Sequence, residues 1–539
     1  MGYRDRATCV ALCTLLAPGL VHCRHSTEVL GSTSTTQEGG IDDVDDVDDV
    51  GSTPDVGGTV DDAAADASSD IGTASDATRA DVDGASDSRT TVDAAPDFTT
   101  TDAGAMDPSL YPVGLTHSPI TPSVATVLRR IAASVPTRDT HTFLKAGDPI
   151  MGNALGSPTQ VLQGDFFGCV ESPEPMKDLG DYTSLQATID YFHEGNVDGR
   201  NPFSHVSRCT RENFTSWELL KLNLLPPEIA DTNPSLAFVM FGSIDILNTG
   251  TFEPSPWGDW VKFRDYAQAM LDIEDTLIEA GVVPVLLSMP PRAWKGGPVL
   301  QTSTFVALTR AIAQGRQTPF IDFNLPMEKL PDKGLEADGL HITQYDVGIT
   351  TANCVFSDEG LKHGYNLLNL LGLQALERVK TVLADSAAAL DASAPVLEGK
   401  GTPAAPFEVP SLPFSDLRDL SKASSRALES YTGCADTKED GAEFVYRWNA
   451  PTSTRVRAVV IDRKGSPVAA HIYHFAAAPT ASSCVASQSS NPSAGGLSAG
   501  TLAAGTHYFV VDSALVPAGS AAEYMLVLIK CDPTDSTCN

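Results

Sequence analysis

Two predominantly apolar runs, Leu236 to Phe241 and Val282 to Met289, each stop at a backbone breaker, Gly242 in the first case and Pro290-Pro291 in the second. Runs this short, without polar alternation, suit strands covered on both faces, and such strands belong to a parallel sheet held between helices. Helical patterns surround them. Ser118 to Ala133 opens with Pro119 and Pro122, has Ser123 as its expected N-cap, and places Val127, Leu128 and Ile131 on one face. Asp178 to Phe192 is amphipathic through Leu185, Ile189 and Phe192, and Trp260 to Ala280 reads as a helix stopped by Gly281. Thr304 to Ala313 is a further helix, Pro319 to Phe323 a short strand, and Glu359 to Ala384 a long closing helix. Strand alternating with helix predicts a three-layer α/β/α parallel sheet, flavodoxin-like in class, over residues 108–387.

The run His141 to Gly152, HTFLKAGDPIMG, alternates polar and apolar residues until Gly147-Asp148-Pro149 breaks it. It reads as a strand feeding a sharp turn, and in an open α/β sheet ligands bind beyond the carboxyl ends of the strands. Two later stretches fall at comparable places: Phe238 to Ile246, FVMFGSIDI, and Asp338-Gly339-Leu340-His341.

These three blocks, in this order, resemble those of the SGNH (GDSL-type) esterase and lipase superfamily across Leu110 to Ala384. The pattern LQATIDYF followed by Asn201-Pro202-Phe203 resembles a subgroup of secreted bacterial members. The resemblance implies a serine nucleophile after Gly-Asp, activated by a histidine that an aspartate three residues earlier orients. It also implies an oxyanion held by the serine amide, a second-block glycine and an asparagine side chain. His341 and Asp338 match the dyad, and Asp148, Gly242 and Ile244 fall at the oxyanion and binding positions. Pro149 stands at the nucleophile position and Ile244 at the asparagine position, while Val206 to Trp217 contains no glycine for the second block.

Proline has neither a hydroxyl nor a backbone N–H, so Pro149 removes a nucleophile and an oxyanion donor together. Loss of a catalytic serine costs roughly 10⁶-fold in kcat and loss of an oxyanion donor about 10²- to 10³-fold. Ser157 and Ser243 are the nearest other hydroxyls, but neither occupies the turn that aims a nucleophile at His341. A water activated by His341 is the remaining route, since a general base contributes about 10²- to 10⁴-fold. Asp245 reads as a structural acid capping the turn that follows.

The rest of the chain indicates export. Met1 to Cys23 places Arg4 and Arg6 ahead of an apolar run, as in a secretory signal, and Leu20-Val21-His22-Cys23 resembles a bacterial lipobox, implying a lipid anchor at Cys23. Between residues 26 and 106 there are 20 acidic side chains against Arg79 and Arg89, which accounts for 18 of the 33 net negative charges. Residues 24–107 therefore read as a self-repelling acidic tether with too little apolar surface to offset its ordering entropy. The repeat DDVDDVDDV lacks the turn glycine and closing acid of a calcium loop, so no metal site is expected there. The acidic balance also speaks against nucleic acid or anionic membranes as partners.

Ala388 to Leu412 is rich in Ala, Pro, Gly and Ser and reads as a linker. Short alternating strands follow at Ala442 to Trp448, Arg455 to Ile461, Ala470 to Phe475, Thr506 to Val511 and Glu523 to Ile529, predicting an antiparallel β-sandwich within residues 413–539. CADTKEDGAEFVYRW, AAGTHYFVVDS and AGSAAEYMLVLIKC resemble the bacterial pre-peptidase C-terminal-like domain, which implies a non-catalytic accessory module. His471 and His474 point to opposite faces of their strand, and His507 reads as an ordinary strand residue. Cys434, Cys484, Cys531 and Cys538 suit two bridges of open connectivity, and Cys169, Cys209 and Cys354 leave one thiol over.

The reading favoured by these residues is an exported, monomeric, impaired member of the esterase frame, without cofactor or metal, that binds an acylated or glycan ligand. Its rivals are an active ester or acetyl hydrolase on extracellular carbohydrate or lipid, and a non-catalytic surface-interaction scaffold.

Overall fold

The computed structural model describes residues 108–152, 165–247, 259–293, 301–432, 434, 439–480, 483–489 and 497–532. The signal, the Cys23 lipobox, the acidic tether, Ser157 and Cys538 lie outside the described residues.

A parallel sheet of four strands runs through the first half: β1 (Asp139–Gly147), β2 (Pro234–Met240), β3 (Val283–Leu287) and β4 (Phe320–Ile321), in the order 1-2-3-4. β2 and β3 are buried along their whole length, as two-sided coverage requires. α1 (Pro122–Ser134), α2 (Gln186–His193) and α5 (Gly364–Ala384) form one covering layer, and α3 (Asp259–Glu279) and α4 (Thr302–Arg316) the other. This is the expected three-layer α/β/α class. A flavodoxin-like order would add a strand on the outer side of β1. Among the described residues that place holds only a parallel bridge between Gly147 and Thr210.

Two helices differ from their sequence patterns. Thr121, not Ser123, caps α1 by accepting from the Val124 amide, while the Ser123 hydroxyl is shared between Thr121 and Ser109. The pattern from Asp178 to Phe192 is broken because Asp178 pairs with Val355 as a strand and its carboxylate takes the Gly180 amide. Only Gln186–His193 remains α-helical, after a 3₁₀ stretch at Gly180–Leu185. A disulfide joins Cys169 to Cys354 beside that pairing, and Cys209 is the free, buried thiol.

The second half is a β-sandwich. Its strands are β5 (Phe407–Glu408), β6 (Phe414–Asp419), β7 (Phe444–Ala450), β8 (Thr454–Asp462), β9 (His471–Phe475), β10 (Cys484–Ser489), β11 (Leu497–Leu502), β12 (Gly505–Asp512) and β13 (Glu523–Lys530). One sheet has the order β6-β13-β8-β11, and the other β10-β9-β12-β7-β5. A disulfide between Cys434 and Cys484 staples the second sheet's edge.

The segment Ala388 to Leu412 is not strung free between the two halves. Val396 bridges Ser109, Leu397 is buried in the sandwich core, and β5 adds to the second sheet. The halves share one core: Leu417, Val459, Ile461, Met525, Val527 and Ile529 belong to the same buried cluster as the α/β strands. α4 is buried on nearly every side because it lies between the parallel sheet and the β6-β13 face. At Gly315 a Cβ would collide with the Leu417 side chain, so glycine allows β6 to approach the helix. At the rim, Arg316 bridges Asp275 at 2.7 Å and Glu523 at 2.8 Å, and Arg463 reaches Asp272 at 3.2 Å.

Candidate active-site cleft

Four loops meet beyond the carboxyl ends of β1, β2 and β3, where the strand order leads one to look for a site. After β1, the Asp148 carboxylate caps a short 3₁₀ turn, Pro149–Met151, by accepting from the Ile150 amide at 3.1 Å. Pro149 is the first residue of that turn and half-buried. Asp148 itself is fully buried, so the structure places it beneath the cleft floor and not on its surface. Burial pushes its pKa up, against the opposing influence of the Ser243 hydroxyl, Arg292, the Ile150 amide and His341. Asp148 Oδ2, Ser243 Oγ and Arg292 Nε are buried with no hydrogen-bond partner among the described residues.

After β2 the chain turns at Gly242, whose φ of +116° is open to glycine and strained for other residues. The Gly242 amide donates to Asp245 Oδ2 at 3.0 Å, and Asp245 Oδ1 accepts from the Ser216 amide at 3.0 Å and hydroxyl at 2.6 Å. Asp245 is thus the structural acid the sequence predicts, tying the turn to the helix that starts at Ser216. Burial raises its pKa to about 6 despite those bonds. Ile244 is half-buried and presents a hydrocarbon side chain where the resemblance calls for an amide.

After β3, Arg292 follows the two prolines and donates through Nη1 to the Leu340 carbonyl at 2.5 Å, while the Ala293 amide bonds Gly339 O at 3.0 Å. These bonds fix the loop that carries the dyad. Burial lowers the Arg292 pKa, and the nearby carboxylates of Asp148 and Asp338 oppose that. In the loop, Asp338 Oδ1 accepts from the amides of Leu340 at 2.8 Å and His341 at 3.0 Å, and Oδ2 meets His341 Nδ1 at 2.5 Å. Partial burial acts to raise the Asp338 pKa, but the Leu340 amide and the His341 ring and amide outweigh it and hold the carboxylate below its ordinary range. Both side chains are 45% exposed. His341 Nε2 has no hydrogen-bond partner among the described residues. The cavity beside the dyad, about 510 Å³, is lined by Glu336, Asp338, His341, Gln344 and Tyr365 among others.

The structure therefore brings Asp148, Pro149, Gly242, Ile244, Asp338 and His341 to one end of the sheet. Ser243 is turned inward beside Asp148, and no serine hydroxyl bonds His341 among the described residues. The segment 206–217 does reach the place of a second block, since the Gly147 amide donates to Cys209 O at 3.0 Å, but it brings Cys209 and Thr210 instead of a glycine. Sequence reasoning missed Arg292. Its position just past a strand-ending Pro-Pro pair was the available signal, because loops at strand ends converge on one site.

Phe166 and Phe167 are fully buried and stacked at 3.9 Å, so they belong to the core and not to the cleft. In the sandwich, His474 Nε2 lies 3.2 Å from His507 Nδ1, and burial followed by the His507 charge lowers the His474 pKa to about 4. His507 is thus half of a buried imidazole pair and not an isolated strand residue. Among the described residues, no group of three or more His, Cys, Asp or Glu side chains is placed to hold a metal ion.

No family model matches this sequence, and no curated protein does either. Solved structures similar to it include the lipase/acylhydrolase from Enterococcus faecalis, 17% identical, with a TM-score of 0.27 over 44% of this chain and 95% of that one. A GDSL-like lipase from Bacteroides thetaiotaomicron is 15% identical, with a TM-score of 0.28 over 47% of this chain and 98% of that one. A catalytic mutant of an acetylxylan esterase from Geobacillus stearothermophilus is 12% identical, with a TM-score of 0.28 over 44% and 93%. TM-scores of this size do not themselves establish the fold, which stands on the parallel strand order and the layers around it.

Proposed function

We propose that this protein is an exported, catalytically silent relative of the SGNH esterases that binds a glycan or acylated ligand in the cleft at Pro149 and His341. The observation that carries the reading is Pro149 at the head of the turn after β1, with no hydroxyl for His341 to activate and no amide for an oxyanion. The ligand follows from what remains: a half-exposed imidazole held in orientation, and a cavity with Glu336, Gln344 and Tyr365 in its wall, suited to a hydroxylated molecule. The sandwich serves as a pre-peptidase C-terminal-like accessory module, and the acidic tether with Cys23 holds the protein at the cell surface.

A second reading has one observation in its favour: the Asp338–His341 dyad is complete and its Nε2 is unengaged among the described residues. Such a base would give slow hydrolysis through an activated water. A fluorophosphonate probe, which needs an activated serine, separates the serine mechanism from both. No labelling of the full-length protein is expected. Labelling that His341→Ala abolishes would overturn the silent reading.

A further inference from the structure

The cleft's surviving groups discriminate between two forms of the ligand that the proposed function leaves open. An ester or acetyl group is recognised in a cleft of this kind through its carbonyl oxygen, which needs N–H donors. The three places that would supply them are occupied otherwise. Pro149 has no N–H, the Cys209 and Thr210 amides at the second-block place donate to Ser207 at 3.1 and 3.3 Å, and the neighbouring Gly242 amide is already donated to Asp245 Oδ2 at 3.0 Å. Ile244 offers only hydrocarbon. Ser243 Oγ and Arg292 Nε are buried, and neither residue lines the cavity beside the dyad.

A free hydroxyl has the opposite requirement, because it must give its proton to an acceptor. Asp338 Oδ2 meets His341 Nδ1 at 2.5 Å, so in the neutral ring the proton sits on Nδ1 and Nε2 is left as an acceptor. Asp338 is fixed in turn by two backbone amides, so the ring is held in place before any ligand arrives. In an intact serine esterase that acceptor would be taken by the enzyme's own hydroxyl. Here a proline fills the position, and the ligand's hydroxyl can take the serine's place.

We infer that the cleft selects the deacylated ligand: a glycan whose free hydroxyl donates to His341 Nε2 is bound in preference to the same glycan with that hydroxyl acetylated. This rests on the proposed function and narrows it. Acetylation removes the donated proton and, among the described residues, leaves the new carbonyl only the solvent-exposed Gln344 carboxamide as an N–H donor in the cavity wall, so a preference of about tenfold is expected.

The test uses the full-length protein on immobilised polysaccharides, including xylan and pectin, each printed in acetylated form and after alkaline deacetylation, with acetate measured in the supernatant. Binding about tenfold tighter to the deacetylated form of at least one polysaccharide is expected, with no acetate released. His341→Phe, which keeps a ring of similar size without the acceptor, should abolish the preference, and His341→Gln, which restores an acceptor, should recover part of it. Equal or tighter binding to the acetylated forms would overturn the inference and leave the silent-esterase reading intact, whereas no binding to either form would overturn both the inference and the glycan ligand on which it rests. Acetate release above the His341→Ala background would defeat that underlying reading itself.

Discussion

At the scale of single residues, some buried carboxylates are paired with an arginine, as Asp322 is with Arg310, but others are not. Glu274 in α3 is the clearest case. It is completely buried, its Oε1 accepts from the Thr318 hydroxyl, and Oε2 has no partner among the described residues. Burial raises its pKa from 4.5 to about 8. A group protonated in the folded state but ionised in the unfolded one contributes stability that is complete below 4.5 and is lost as pH rises through about 8. Glu274→Gln keeps the hydrogen bond and removes the titration, so chemical denaturation should show a flatter stability profile between these limits than the unmodified protein. An unchanged profile would mean that Glu274 is ionised in the native state. In the cleft, burial likewise raises the Asp148 pKa, whereas the half-exposed Asp338 is held ionised by the Leu340 amide and the His341 ring and amide.

At the scale of elements, α4 is the piece on which the packing turns. A helix of ordinary amphipathic pattern would show one apolar stripe, but in Thr302–Arg316 every residue from Thr304 to Gln314 is buried because the helix has a sheet on either side. Gly315→Val would force a side chain against Leu417 and push β6 off the helix, at a cost of about 1–3 kcal/mol. Thermal melts of the full-length variant should show the lower Tm, and no change would mean that β6 does not seat there. The parallel strands were legible because two-sided burial leaves continuous runs such as Leu236 to Phe241. The strands at Phe414–Asp419, Cys484–Ser489 and Leu497–Leu502 were not, since Asp416, Ser487 and Gly500 interrupt the pattern and tertiary pairing supplies what propensity lacks. The cleft was legible as three short blocks in order. Arg292 escaped because its role depends on a loop 48 residues further along the chain.

At the scale of the molecule, the α/β half and the sandwich are one folding unit and not an enzyme-like domain with a mobile appendage. Six sandwich residues lie in the α/β core cluster, and the Arg316, Arg463, Asp275 and Glu523 network closes the seam. A chain truncated at Ala388 would expose the apolar face of α4, so the full-length protein should unfold in a single transition and the truncated one should aggregate. Two separated transitions would contradict the shared core. For that reason the central claim, a hydrolase frame without hydrolysis, is tested on the whole chain. The measurement is turnover of short-chain p-nitrophenyl esters by the natural protein beside the double substitution Pro149→Ser with Ile244→Asn. The account predicts no turnover above background for the natural protein and measurable, His341-dependent turnover for the double variant. Turnover by the natural protein that His341→Ala abolishes would contradict it.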